Sequence, residues 1–227
     1  TYNIDPYCLD YIIGRCIRSC QPIPKALVAV DLFGLPCNYD DVLDICKRYD
    51  IQLIEDMAQS FGASYKGRRT GSFGRMAVAS FFPARPLNEE GEGGAVFCHS
   101  REDMLRLQSL RRKIRLHEDQ RVLYTTGGYL DAIQSSVVAD KLAQFDSALR
   151  SRRAVAEQYA ERLGDAVKIQ HVGDNFESAY TQFAVSVKNA QLRSALLEYL
   201  EERHIPCQVF DPSPVHRPGQ EGWSRLA

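Results

Sequence analysis

The chain has 227 residues, 44% of them hydrophobic, which gives room for one large domain or two small ones around a packed core. Its 28 basic and 29 acidic groups leave a formal net charge of −1, which excludes any bulk attraction to nucleic acid or to an acidic membrane. Seven scattered cysteines without a CxxC pair argue against a zinc site or a secreted disulfide framework, and fit a reducing, cytoplasmic setting.

No apolar run approaches the roughly 18 residues of a membrane span, and Thr1 to Asp5 form neither a basic nor an apolar leader region. With no initial methionine and no stop signal after Gly222, the chain reads as a piece of something longer, truncated at both ends.

Asp5-Pro6 is a helix-start signal, and Tyr7, Leu9, Tyr11, Ile12, Cys16 and Ile17 recur at roughly helical spacing, so a helix is predicted near 6–19. Lys25 to Val30 is a short apolar run that suits a strand buried on both faces. A short amphipathic helix follows at 40–48, then a strand over 51–54 that ends in acidic residues. This rhythm is that of βαβ units and a mostly parallel sheet flanked by helices, so the fold class is α/β.

Two further strands are predicted at 76–82 and 94–98, joined by an irregular loop, 83–93, that is a candidate site. A charged helix at 101–115 and a long helical pattern over 130–164, with a break near Ser147, come next. Strand-like runs at 167–169, 180–187 and 206–210 around a helix at 190–203 read as a small α+β unit. The boundary is placed near 147, giving a partial large domain over 1–147 and a partial small one over 148–227.

Ligands of parallel α/β sheets collect at the carboxyl ends of strands, where Asp56, Gln59 and Ser80 stand. A carboxylate there suits a protonated pyridine nitrogen, with an amide and a hydroxyl for a phenolic oxygen and a phosphate. Asp56 alone reads equally well as a cap or turn acid. Gly91-Glu92-Gly93-Gly94 lacks the strand–GxGxxG–helix context and reads as a tight turn into a strand. His99, His117, His171, His204 and His216 have no metal-ligand spacing, so no metal is expected. The basic cluster Arg111 to Arg115 reads as a solvated helix face, and Cys98 and Cys207 as inert core thiols.

The order of several motifs carries a resemblance. Val30-Asp31-Leu32-Phe33-Gly34, Ile54 to Gly62, Tyr65-Lys66-Gly67, Gly71-Ser72-Phe73-Gly74, Ser80 to Leu87, Gly91 to Val96, Leu130 to Gln134 and Pro212 to His216 resemble the DegT/DnrJ/EryC1/StrS family of nucleotide-sugar aminotransferases. That resemblance implies a fold type I enzyme dependent on pyridoxal 5'-phosphate (PLP). It also implies a homodimer that moves an amino group from glutamate to a nucleotide-linked keto sugar in surface polysaccharide biosynthesis.

Residue by residue, Asp56 matches the aspartate on the pyridine nitrogen, Gln59 the amide near the phenolic oxygen, and Ser80 the hydroxyl on the phosphate. His216 and Tyr129 fall where the family lines its sugar and phosphate sites. Arg85 stands where the family keeps its Schiff-base lysine, and a guanidinium is neither a useful nucleophile nor a ready base. PLP is therefore expected to bind without covalent attachment, and transamination to be impaired. Asn88, Gly127 and Tyr129 also depart from the family pattern, and its N-terminal third is absent. A non-catalytic scaffold of the same fold is the alternative. A PLP-dependent sugar dehydratase ranks last, because arginine cannot serve as its titrating base.

Overall fold

The computed structural model describes residues 1–111 and 128–210. Helix α1 (Pro6–Arg18) starts where Asp5 accepts the Tyr7 N–H at 2.8 Å and Pro6 needs no intrahelical donor. Strand β1 (Ala26–Val30), helix α2 (Tyr39–Arg48) and strand β2 (Gln52–Asp56) follow. Two short strands, β3 (Ser64–Tyr65) and β4 (Arg68–Arg69), precede β5 (Met76–Ser80) and β6 (Gly94–Cys98). Helices α3 (Arg101–Arg111), α4 (Ala132–Ala143) and α5 (Phe145–Leu163) lead to β7 (Lys168–Ile169), β8 (Phe176–Glu177), β9 (Val185–Ser186) and α6 (Ala190–Glu201).

The main sheet has the order β1-β2-β5-β6. Its first three strands are parallel, and β6 returns antiparallel to β5, so the class is α/β with a mostly parallel sheet. A second sheet, β4-β3-β8, is antiparallel, and Ser64 Oγ donates to Glu177 at 2.6 Å across it.

One face of the main sheet is packed. Ala29, Leu53, Ala77 and Ala79 point to that side, and the small alanines let helices approach closely. Ile13 of α1 and Val42, Ile45 and Cys46 of α2 cover one half, while Val138 of α4 and Phe145 and Leu149 of α5 cover the other. Tyr39 is fully buried and its ring stacks on Phe73 at 4.2 Å.

The opposite face carries Val28, Val30, Ile54, Met76, Val78 and Val96, and Val28 and Val96 are 55% and 49% exposed. The expectation that β1 is buried on both faces is thus corrected. Its apolar run is continuous, but among the described residues only one face is covered.

Three other expectations are revised. The helical pattern over 130–164 breaks at Gln144 rather than near Ser147, because Gln144 leaves helical geometry and caps α4. Of the strands expected at 180–187 and 206–210, the first shortens to β9 and the second does not form. The boundary near 147 falls inside α5. The chain divides instead into one unit of Thr1–Arg162 with Gln170–Ala184, and another of Leu163–Ile169 with Val185 onward. Pairing of β8 with β3 draws the 170–184 segment into the first unit, whereas the second is built on the β7-β9 pair and α6.

Candidate functional site

Period-two alternation along β2 sends neighbouring acids to opposite faces. Glu55 points inward, is fully buried, and accepts the N–H groups of Gly71, Phe73 and Gly74 at 2.6, 2.7 and 2.6 Å. It fixes the Gly71–Gly74 loop. Sequence reasoning passed over it, although an acid at an inward position of a buried strand is itself a signal. Asp56 points to the open face. One of its oxygens accepts the Ala58 N–H at 3.0 Å in a local turn, and among the described residues the other makes no hydrogen bond.

Gln59 is buried three residues further on, and its Oε1 accepts the Phe33 N–H at 2.6 Å. Its backbone carbonyl accepts the Thr181 hydroxyl. Among the described residues its Nε2 has no hydrogen-bond partner, and it is not sealed from solvent.

Next to it, Ser60 donates to Asp31 at 2.7 Å, and Asp31 also accepts the Tyr39 hydroxyl at 2.9 Å and the Cys37 N–H at 2.7 Å. Burial pushes the Asp31 carboxyl up to about 7 despite those donors, and burial together with the Asp31 charge raises the Cys37 thiol and the Tyr39 phenol.

Ser80 ends β5, and its Oγ accepts the Phe82 N–H at 3.3 Å, which leaves the hydroxyl proton uncommitted. The following loop closes on itself: the Arg85 N–H donates to Phe82 O at 2.9 Å, Asn88 Nδ2 to Arg85 O at 2.9 Å, and the Glu89 N–H to Phe81 O at 2.8 Å. Arg85 Nε is buried without a hydrogen-bond partner among the described residues. Lys141 of α4 ties the loop down through Asn88 at 2.8 Å and Glu90 at 3.0 Å.

Glu89 is fully buried with both carboxylate oxygens unpartnered among the described residues, and burial, then the Asp131 charge, raises its carboxyl above the usual range. Gly93 leaves it room, since a Cβ there would lie 2.3 Å from Glu89 Oε1.

The structure therefore gathers Asp56 and Ser80 on one face at the ends of neighbouring strands, with Gln59 and Arg85 on the segments leaving those ends. The set offers a free carboxylate oxygen, an uncommitted hydroxyl, an amide donor and a guanidinium. Lys66, the lysine of the Tyr65-Lys66-Gly67 motif, is exposed and paired with Asp40. Tyr129 is 58% exposed with the Arg111 guanidinium 5.1 Å from its ring centre.

His216, His117 and Gly127, like the basic residues beyond Arg111, lie outside the described residues. Among the described residues there is no His, Cys, Asp and Glu cluster able to hold a metal, and no helix is long and apolar enough to cross a membrane. Cys207 is exposed and Cys98 only half-buried, which corrects their reading as core thiols: Cys207 lies in a stretch that forms no strand.

Comparison with known proteins gives the family. Residues 1–220 match the model of the DegT/DnrJ/EryC1/StrS aminotransferase family. The chain is 33% identical, over 96% of its length and 58% of the relative's, to UDP-2-acetamido-2-deoxy-3-oxo-D-glucuronate aminotransferase of Pseudomonas aeruginosa. It is 32% identical, over 96% of its length and 57% of the relative's, to dTDP-3-amino-3,6-dideoxy-alpha-D-galactopyranose transaminase of Aneurinibacillus thermoaerophilus.

The fold is similar to the crystal structure of a DegT DnrJ EryC1 StrS aminotransferase from Brucella abortus, with a TM-score of 0.87 and 32% identity over 96% of this chain and 58% of that one. The chain thus spans less than two thirds of the length of these relatives. By motif order, fold and family match, it belongs to the DegT/DnrJ/EryC1/StrS aminotransferase family.

Proposed function

We propose that the chain is a nucleotide-sugar aminotransferase by descent that binds PLP non-covalently and transaminates poorly or not at all, because Arg85 occupies the position of the attaching lysine. The observation that carries this reading is the set of uncommitted polar atoms around the ends of β2 and β5: the free Asp56 oxygen, the Ser80 hydroxyl and Gln59 Nε2. They fit a ring with a protonated nitrogen, a phenolic oxygen and a phosphate. Asp56 holds the ring nitrogen in its protonated form, Gln59 donates to the phenolic oxygen, and Ser80 donates to the phosphate. PLP bound there supplies the electron sink that amino transfer needs.

Arg85 marks the limit of the chemistry. A guanidinium neither attacks an aldehyde nor returns a proton to substrate carbon. It pairs well with a phosphate or a carboxylate, which favours retention of ligand over turnover. In the substrate reading, a nucleotide-linked keto sugar as acceptor follows the name of the Pseudomonas aeruginosa relative, which gives a UDP-linked 3-oxo sugar, and glutamate as amino donor follows the motif resemblance. A homodimer in the cytoplasm is the matching assembly and setting.

The scaffold alternative draws support from the open sheet face, where Val28, Val30 and Val96 are well placed for another polypeptide. Incubating the chain with PLP, glutamate and a nucleotide-linked 3-keto sugar tests the main reading. No 2-oxoglutarate above background is expected from the unmodified chain, and steady release would overturn the claim that Arg85 disables it.

A further inference from the structure

The turn just past β1 is tethered from several sides. Asn3 accepts the Leu32 N–H at 2.8 Å and donates to the carbonyls of Leu35 at 2.8 Å and Pro36 at 3.0 Å. Asp31 anchors its start through Cys37, Tyr39 and Ser60, and Gln170 Nε2 donates to Leu32 O at 3.3 Å. Gly34 sits at φ +97, where a Cβ would lie 2.9 Å from Tyr180 N and 3.0 Å from Gln59 O. Between these tethers Phe33 is held at φ 63, in the left-handed region that a bulky residue rarely adopts. Such conformations persist where the surroundings over-determine them, and they cluster at functional sites.

The local result of that backbone is one contact. Phe33 N–H is aimed at Gln59 Oε1, 2.6 Å away. A carboxamide has an acceptor end and a donor end that a half-turn exchanges, and an N–H group accommodates only the acceptor. Gln59 is therefore fixed in one of its two orientations, with Nε2 free on the other side.

We propose that the Leu32–Gly34 turn is a positioning element. Phe33 N–H locks the flip of Gln59, so that Nε2 meets the ligand as a donor and selects for an oxygen acceptor there. The ligand half of this inference rests on the functional reading above, in which that acceptor is the phenolic oxygen of PLP. The lock itself does not.

The test separates the two ends of the side chain. Gln59→Glu keeps acceptor oxygens for Phe33 but removes the donor, whereas Gln59→Leu removes both. In the ligand-free full chain, hydrogen exchange of the Phe33 amide stays as slow in Gln59→Glu as in the parent. In Gln59→Leu it speeds up by about tenfold or more, the size expected for losing one buried hydrogen bond. Equal protection in both variants overturns the lock. Gln59→Asn, whose shorter amide falls short of Phe33, gives the same readout if Gln59→Leu does not fold.

With PLP as the probe, Gln59→Glu binds about tenfold or more weakly, because a carboxylate faces the oxygen in place of a donor. Unchanged affinity overturns the donor assignment. A parent chain that binds no PLP defeats the functional reading and the ligand half with it, while the exchange result still decides the lock.

Discussion

Asp56 and Ser80 end neighbouring parallel strands with their side chains on the same face of the sheet. Asp56 is paired with Val78, so Ser80 stands two residues further along, roughly 7 Å. One bound molecule can therefore touch both, provided that its cationic and anionic ends are separated by about the width of a small ring. Asp56→Ala and Ser80→Ala are each expected to weaken PLP binding about tenfold or more with little loss of stability, since both side chains are only half-buried and make one local hydrogen bond each. Fluorescence titration of PLP alongside urea denaturation checks both halves.

Arg85→Lys is expected to restore covalent attachment and some glutamate-dependent release of 2-oxoglutarate, because a lysine at that position regains a nucleophilic amine. Mass spectrometry after borohydride treatment, together with a coupled assay for 2-oxoglutarate, reads the outcome. Attachment without turnover would place the remaining deficit in the substrate-binding residues, and no attachment would favour the scaffold alternative.

Asp31 predicts a pH dependence of stability. Its carboxyl is raised in the folded chain to about 7 from 3.8, so its contribution is fully present below about pH 4 and is lost as pH rises to 7. The loss is on the order of 4 kcal/mol. Asp31→Asn cannot ionise, and its carbonyl still accepts from Cys37 and Tyr39. The variant should thus gain on the parent by a few kcal/mol between pH 4 and pH 7.5 in urea denaturation. A constant difference over that range would show that Asp31 is ionised throughout.

Glu89 predicts a shift of the same sign at a second place. Both of its oxygens are buried without partners and its carboxyl is raised, so ionisation as pH rises opposes folding. Glu89→Gln should be more stable than the parent at pH 8, with a smaller difference at pH 5. Thermal denaturation at the two pH values measures it.

Glu55 is a different kind of acid. Glu55→Ala leaves the N–H groups of Gly71, Phe73 and Gly74 without their acceptor, at a cost of roughly 3–5 kcal/mol. Urea denaturation measures the loss, and a cost below about 1 kcal/mol would mean that water replaces the carboxylate.

Much of this was legible in the sequence. Asp5-Pro6 marked the start of α1, and the spacing of apolar runs located β1, β2, β5 and β6, because these signals are local. Strand-end position together with motif order singled out Asp56, Gln59, Ser80 and Arg85.

What was not legible depends on tertiary context. The antiparallel return of β6 is invisible because hydrophobicity does not record strand direction, and the break at Gln144 has no glycine or proline to mark it. Exposure of Val28 and Val96 reflects what packs above them rather than their own pattern. The engagement of Gln59 by Phe33 required a phenylalanine at positive φ, a choice forced by distant tethers such as Asn3 and Gln170.

The most direct test of the central claim is a PLP titration of the unmodified chain, followed by borohydride reduction and mass spectrometry. Saturable binding is expected, seen as a change in the visible spectrum, with no mass added to the protein after reduction. Cofactor fixed to a lysine such as Lys66 or Lys141 would contradict the role given to Arg85, and absence of binding at any PLP concentration would contradict the site itself.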